Sequence, residues 1–117
     1  MSRHNFKELK IWQRSKELVK SIYSITKDMP NDENFGLIYQ MRKSVISIPS
    51  NIAEGCGRGT NKQLAHFLDI AQGSAFELET RIIILFELNM IDENNYKLLS
   101  SELSELQRMI DGFKKTL

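Results

Sequence analysis

The sequence predicts an all-α fold, an antiparallel up-down-up-down four-helix bundle, on three observations. Apolar residues recur at steps of three and four in four separate stretches, the spacing that lines one face of a helix. No segment alternates apolar and polar residues over a length that a strand needs. Only two prolines and six glycines interrupt the chain, several of them gathered at Met29-Pro30 and Gly55-Cys56-Gly57-Arg58-Gly59, so long stretches are left to be helical. At 117 residues and 13.6 kDa there is room for one domain, taken as residues 1–117.

The first helix is the least regular, with Trp12, Val19, Ile22, Tyr23 and Met29 gathered on one side. Asn5 followed by Glu8 fits a reciprocal cap, in which a side-chain oxygen takes one orphan amide and the third residue answers it, so this helix is expected to start near residue 5. Asn31, after Pro30, is the corresponding cap for the second helix, whose seam is Ile38, Met41, Val45, Ile48 and Ile52. Gly55 and Gly57 suit the left-handed conformation that closes it. Thr60 with Gln63 opens the third helix, where Leu64, Leu68, Ala71, Ala75, Leu78, Ile82 and Leu85 keep the period without a miss. Asp92 opens the fourth, lined by Tyr96, Leu99, Leu103, Leu106, Ile110, Phe113 and Leu117. Connections of about four to seven residues make each helix run antiparallel to the one before.

Two features break this pattern. Pro49 sits inside the apolar period of helix two, where it lacks an amide proton and its ring presses on the carbonyl of Val45. A kink costing about 3 kcal/mol is expected there, with Ser47 or Ser50 placed to satisfy the freed carbonyl. On helix three, Ile83 and Phe86 lie off the main seam and Ile84 beside it, where a lone bundle would show water a polar face. Each such side chain left exposed forgoes roughly 1.5–3 kcal/mol of burial, which favours cover by another subunit. Gly73, beside Ser74, costs about 1 kcal/mol in mid-helix with no capping use and points to close backbone approach. The expected subunit surface is therefore Gly73, Ile83, Ile84 and Phe86. The alternative is that helix three is the most central helix, its remaining surface covered by lysine stems from helix one.

Composition removes several function classes. Sixteen Lys and Arg against fifteen Asp and Glu leave a net charge of +1, so there is no global basic character and any nucleic-acid surface must be local. The longest apolar run, Ile82 to Phe86, falls far below the roughly 18 residues of a membrane span. No apolar stretch follows the charges of the N-terminus, and the single cysteine, Cys56, allows no internal disulfide; a cytoplasmic protein is expected. A di-metal centre in a bundle needs Glu-x-x-His pairs on one helix face, but His4 precedes helix one and Gln63 stands three residues before His66. Cys56 and His66 are a weak nucleophile pair across a turn, and Arg58 and His66 are too far apart for the Arg-His spacing of helical ribonucleases. Gly55-x-Gly57-x-Gly59 lacks both the strand before and the Lys-Ser/Thr after that a phosphate loop requires. No cofactor, metal or small-molecule substrate is expected.

Charge is unevenly placed. Residues 1–30 hold seven bases (Arg3, Lys7, Lys10, Arg14, Lys16, Lys20 and Lys27) against three acids (Glu8, Glu17 and Asp28). Lys10 and Arg14, and likewise Lys16 and Lys20, are one turn apart, so the bases are expected to form a flank of helix one, extended by Arg42, Lys43 and Arg58. Such a flank suits phosphate contacts, which hold RNA without reading its sequence. In a ring every patch is repeated, and weak contacts add as avidity.

The stretch Ser47-Ile-Pro49-Ser-Asn51-Ile-Ala-Glu54-Gly55, with Gly57-Arg58 after it, resembles the signature of the 23S rRNA intervening-sequence protein family. Leu9-x-x-Trp12, Tyr23, Pro30-x-x-x-x-Phe35-Gly36-Leu37, Gln40-x-Arg42, Phe67-Leu68-x-Ile70-Ala71, Gly73-Ser74 and Glu77-Leu78-Glu79 match in order. Lys43 and Ser44 stand where the family often has Arg and Ala, and Cys56 where an aromatic is common. The resemblance implies a bacterial four-helix bundle that assembles as a five-membered ring, without enzymatic activity. A related branch serves diversity-generating retroelements through a basic ring that engages RNA and a reverse transcriptase. Ser47, Pro49, Asn51, Glu54, Gly55 and Gly57 are then expected to shape the turn after helix two and a subunit contact. Together the residues and the resemblance predict a non-enzymatic homo-oligomer that holds structured RNA or an RNA–protein complex, the alternative being a protein–protein adaptor with no nucleic-acid contact.

Overall fold

The apolar period of three and four resolves into four α-helices. The computed structural model describes residues 4–29 and 36–117. A single 3-10 turn, Phe6–Glu8, leads into α1 (Lys10–Thr26), α2 (Leu37–Cys56), α3 (Asn61–Glu87) and α4 (Glu93–Lys114), and no strand occurs among the described residues. The expected cap Asn31, together with Arg3 and with Pro30 and Phe35 of the family pattern, lies outside the described residues.

Side-chain pairings set the direction of each helix. Gln40 meets Arg81 and Ser47 meets Ser74, so α2 and α3 are antiparallel. Asp69 meets Lys114 and Phe86 meets Tyr96, so α3 and α4 are antiparallel. Arg14 meets Glu105 and Ser21 meets Glu102, which runs α4 against α1. Neighbouring helices pack in chain order around a square, closed by α1 and α4, with α2 against α3 the most extensive pair.

The three seams read from helices two, three and four form the core. Ile38, Met41, Val45, Ile48 and Ile52 of α2 are fully buried, as are Leu68, Ala71, Ala75, Leu78 and Leu85 of α3 and Leu99 of α4. Helix one differs from expectation. Its buried side is Ile11, Ser15, Leu18, Ile22 and Thr26, whereas Trp12 and Val19 sit at its margin and Tyr23 is exposed. Ser15 and Thr26 enter the core because each hydroxyl donates to a carbonyl of its own helix, Trp12 O at 2.8 Å and Ile22 O at 2.7 Å, so neither hydroxyl is left unpaired.

Helix ends follow the sequence in part. Thr60 caps α3, its hydroxyl accepting from Gln63 N at 3.1 Å, and Asp92 caps α4 by accepting from Asn95 N at 2.7 Å. The Gln63 side chain meets the Thr60 hydroxyl rather than its amide, so the reciprocal half of that cap is absent. Asn5 caps the 3-10 turn, and α1 begins later, at Lys10, after an extended Leu9 that has no side-chain cap. The connection from α1 to α2 covers residues 27–36, longer than expected.

Neither Gly55 nor Gly57 is left-handed. Gly57 ends α2 at φ −80°, and Gly55 is buried within the helix. The left-handed residue is Asn89, at φ 59°, after α3. Its amide donates to Phe86 O and that of Met90 to Leu85 O, the paired bonds of a Schellman end. Helix α2 continues through Pro49, and the Ser47 hydroxyl is engaged with Ser74 and Asn51 rather than with Val45.

Apolar side chains stand on the outward side of α3 among charged ones. Ile83 and Ile84 are exposed, joined by Ile70 and by Phe76, which is 57% exposed. Helices α1 and α3 stand diagonally opposed, so lysine stems from α1 do not cover this surface. Phe86 is different from the rest: its ring stacks on Tyr96 at 4.2 Å within the same chain. Gly73 has open space beside it, since a Cβ there would meet nothing within 4 Å, so no close approach occurs inside the protomer.

Candidate nucleic-acid interface

Side chains of the α1–α2 pair build the most distinctive surface. Thr26, in the last turn of α1, donates its hydroxyl proton to Ile22 O and so presents its oxygen lone pairs to α2. Arg42 Nε donates to that oxygen at 3.0 Å, which lays the guanidinium over the Tyr23 ring, 4.6 Å from its centroid. A planar cation on an aromatic face is held both by the ring quadrupole and by this hydrogen bond. Lys43 follows Arg42, and Tyr39 and Ile46 stand one turn either side on α2. Tyr23, Tyr39, Arg42, Lys43 and Ile46 line a cleft of about 420 Å³. Among the described residues no carboxylate pairs with Arg42 or Lys43.

Lys43 is also a wall of a second, smaller cleft of about 180 Å³ between α2 and α3, which Ser44, Ser47, Ser74 and Arg81 help to line. Arg81 Nη1 donates to Gln40 O at 3.3 Å, and Glu77 lies 3.9 Å from its other Nη. The two clefts therefore share one lysine, with tyrosines on one side and hydroxyls on the other.

The four bases of helix one do not form one strip. At about 100° per residue, Lys10 and Arg14 lie roughly 120° around the helix from Lys16 and Lys20. Arg14 faces α4 and pairs with Glu105, whereas Lys16 lies over the Trp12 ring at 4.4 Å on the side nearer α2. Lys20 is 3.5 Å from Glu17, an exposed pair that holds it weakly. Arg58 is removed from this surface altogether. It follows the last turn of α2, roughly 20 Å along the helix from Lys43, where it pairs with Glu54 at 2.7 Å and lies over Phe67.

The family motif acts between α2 and α3. Asn51 Nδ2 donates to Ser47 O at 2.8 Å and to Ser47 Oγ at 2.9 Å, and Ser47 Oγ shares a 2.8 Å hydrogen bond with Ser74 Oγ. Glu54 and Arg58 close the turn, and Gly55 lets α3 approach. Cys56 is buried, which pushes its thiol pKa up and disfavours the thiolate a nucleophile needs. His66 is exposed, with its ring against the edge of Phe67. Among the described residues no group of three or more His, Cys, Asp or Glu side chains converges on a metal position, and no helix is long and apolar enough to cross a membrane.

Tyr39 was missed by the sequence reading. Its signal was there: an aromatic residue off the Ile38, Met41 and Val45 seam, next to two bases one turn later.

Fold and surface together define an antiparallel four-helix-bundle protein whose notable surface is a cationic, aromatic helix face. The family model for the 23S rRNA-intervening sequence protein matches residues 7–112, and the chain belongs to that family. A solved structure from Bacteroides thetaiotaomicron VPI-5482, a protein of unknown function from the S23 ribosomal protein family, is similar in fold, with a TM-score of 0.83. The two share 23% identity over 90% of this chain and 95% of that one. Neither description names an activity. No curated protein matches the chain.

Proposed function

We propose that the protein is a non-enzymatic homo-oligomer, a five-membered ring by family resemblance, that holds structured RNA or an RNA–protein complex in the cytoplasm. The observation that carries this reading is Arg42 fixed over Tyr23 beside Lys43 and Tyr39, with Lys16 over Trp12 on the same side of α1. Phosphate contacts supply affinity that falls steeply with salt, and aromatic faces add stacking that tolerates any base. Assembly is supported by the exposed Ile70, Phe76, Ile83 and Ile84 along α3, a surface that another subunit would take out of water. Repetition of the cationic face around a ring then multiplies contacts that are individually weak.

The test is RNA affinity by fluorescence anisotropy across a salt series, for wild type and for a variant with Lys16, Lys20 and Lys43 changed to Glu. The expected result is at least a ten-fold loss of affinity and a shallower salt dependence in the variant. Unchanged affinity eliminates this surface, and a partner protein retained after nuclease treatment, with no RNA bound, favours the adaptor reading. Sedimentation of a stable, lone 13.6 kDa particle at micromolar concentration would remove the assembly.

A further inference from the structure

We infer that the cleft between α1 and α2 takes an unpaired nucleotide, its base stacked on Tyr39 and its phosphodiester held by Lys43. This inference rests on the RNA reading above and narrows it from RNA in general to single-stranded segments such as loops and bulges.

The argument starts from what a duplex would need. A-form RNA presents phosphates and sugar edges to a protein, while its base faces are stacked inside the helix. A strip of lysines is sufficient for that contact, and exposed aromatic rings add nothing to it. Here the aromatic rings are central. Tyr39 is 50% exposed and Ile46 is 43% exposed, and both line the same cleft as the two cations. The Tyr23 ring is already covered by the Arg42 guanidinium, which leaves Tyr39 as the open stacking face.

The polar groups are arranged to match. Arg42 has its Nε committed to Thr26, and among the described residues its Nη donors have no partner. Lys43 stands between the apolar cleft of about 420 Å³ and the hydroxyl-lined cleft of about 180 Å³. A strand crossing α2 at Lys43 places its planar, apolar part on the tyrosine side and its sugar and phosphate oxygens on the serine side. Glu77 lies in the second cleft and balances part of the Arg81 charge. Lys43 lines the same cleft as Glu77 but pairs with no carboxylate among the described residues, and is therefore the phosphate contact.

The experiment measures anisotropy with a labelled single-stranded RNA, with the same RNA annealed to its complement, and with the matching single-stranded DNA. Wild type is expected to bind the single strand more tightly than the duplex. Tyr39→Ala should weaken single-strand binding roughly ten-fold, the usual loss for one stacked base, while leaving duplex binding unchanged. Tyr39→Trp keeps a stacking face and should keep the affinity, and quenching of its indole by the single strand reads the stack directly. Because Tyr39 is half exposed, both variants should fold, which thermal melting checks. Single-stranded DNA bound equally well supports stacking and shows that the 2′-hydroxyl is not read. Equal binding of single strand and duplex, with no effect of Tyr39→Ala, overturns this inference and leaves the RNA reading standing. Failure of wild type to bind any RNA overturns the RNA reading itself.

Discussion

Gly55 on α2 lies so close to Leu64 on α3 that a Cβ in place of its hydrogen would stand 2.8 Å from Leu64 Cδ1. The same atom would be 2.9 Å from Phe67 Cβ and 3.3 Å from the Leu64 carbonyl oxygen. A leucine tip can rotate away, but a Cβ and a backbone oxygen move only with their helix. Gly55 is thus what lets the beginning of α3 rest on the end of α2, immediately after the turn that joins them.

The opposite behaviour of two helical glycines follows. Replacing a mid-helix glycine by alanine ordinarily gains about 1 kcal/mol from backbone propensity. At Gly55 the overpacking, typically about 1–3 kcal/mol, opposes that gain, and because the clash includes a Cβ and a backbone oxygen, Gly55→Ala should lower stability by up to about 2 kcal/mol. At Gly73, with open space around a Cβ, Gly73→Ala should raise the stability of the dissociated protomer by about 0.5–1 kcal/mol. Urea denaturation of the two variants should move the midpoint in opposite directions. A loss of stability at Gly73 confined to the assembled protein would place a neighbouring subunit's backbone there.

The seams of α2, α3 and α4 were legible because their inward-facing residues are almost all apolar, Ser44 and Ser74 being the buried exceptions. Helix α1 was misread for a physical reason. Its large apolar and aromatic residues, Trp12, Val19 and Tyr23, lie at or beyond the margin of the core, while Ser15 and Thr26 enter it by satisfying their hydroxyls on helix carbonyls. Hydrophobicity alone does not register that substitution. The glycines of the turn were also legible as residue types, yet their role is close packing at Gly55, and the left-handed position falls on Asn89. At the candidate site the charges of Lys16, Arg42 and Lys43 were visible in the sequence. The flank they were expected to form with Lys10, Arg14, Lys20 and Arg58 does not exist: one-turn spacing joins Lys10 to Arg14 and Lys16 to Lys20 but leaves the two pairs roughly 120° apart around the helix, and it does not say which acids take up each base. Glu105 on α4 draws Arg14 to one side, and Glu54 holds Arg58 at the far turn.

The end of α3 depends on a residue that tolerates a left-handed backbone. Asn89 holds φ 59° so that its own amide and that of Met90 return to Phe86 O and Leu85 O, and Met90 packs against the core. A β-branched residue is strained there, and Asn89→Val should cost about 1–2 kcal/mol, the usual penalty for a left-handed L-residue. Asn89→Gly meets no such strain and should retain wild-type stability. Thermal melting of the two variants decides, and equal melting temperatures would refute the role given to this turn.

Cys56 should make stability depend on alkaline pH. Desolvation by burial holds its thiol pKa above the ordinary value, so the folded protein keeps the proton in a range where the unfolded chain releases it. Below about pH 8.5 both states are protonated and the thiol contributes no pH dependence. Above that, ionisation favours the unfolded chain, so stability is lost as pH rises until the folded thiol also titrates. Every other ionisable group is common to wild type and Cys56→Ala, so the difference between the two proteins isolates the thiol. Cys56→Ala leaves a small void that subtracts a roughly constant amount at every pH. The stability gap between wild type and Cys56→Ala, measured by urea denaturation between about pH 7 and 10, should therefore narrow with rising pH. A gap that stays constant or widens would show that the thiol ionises as easily in the folded bundle as in the unfolded chain.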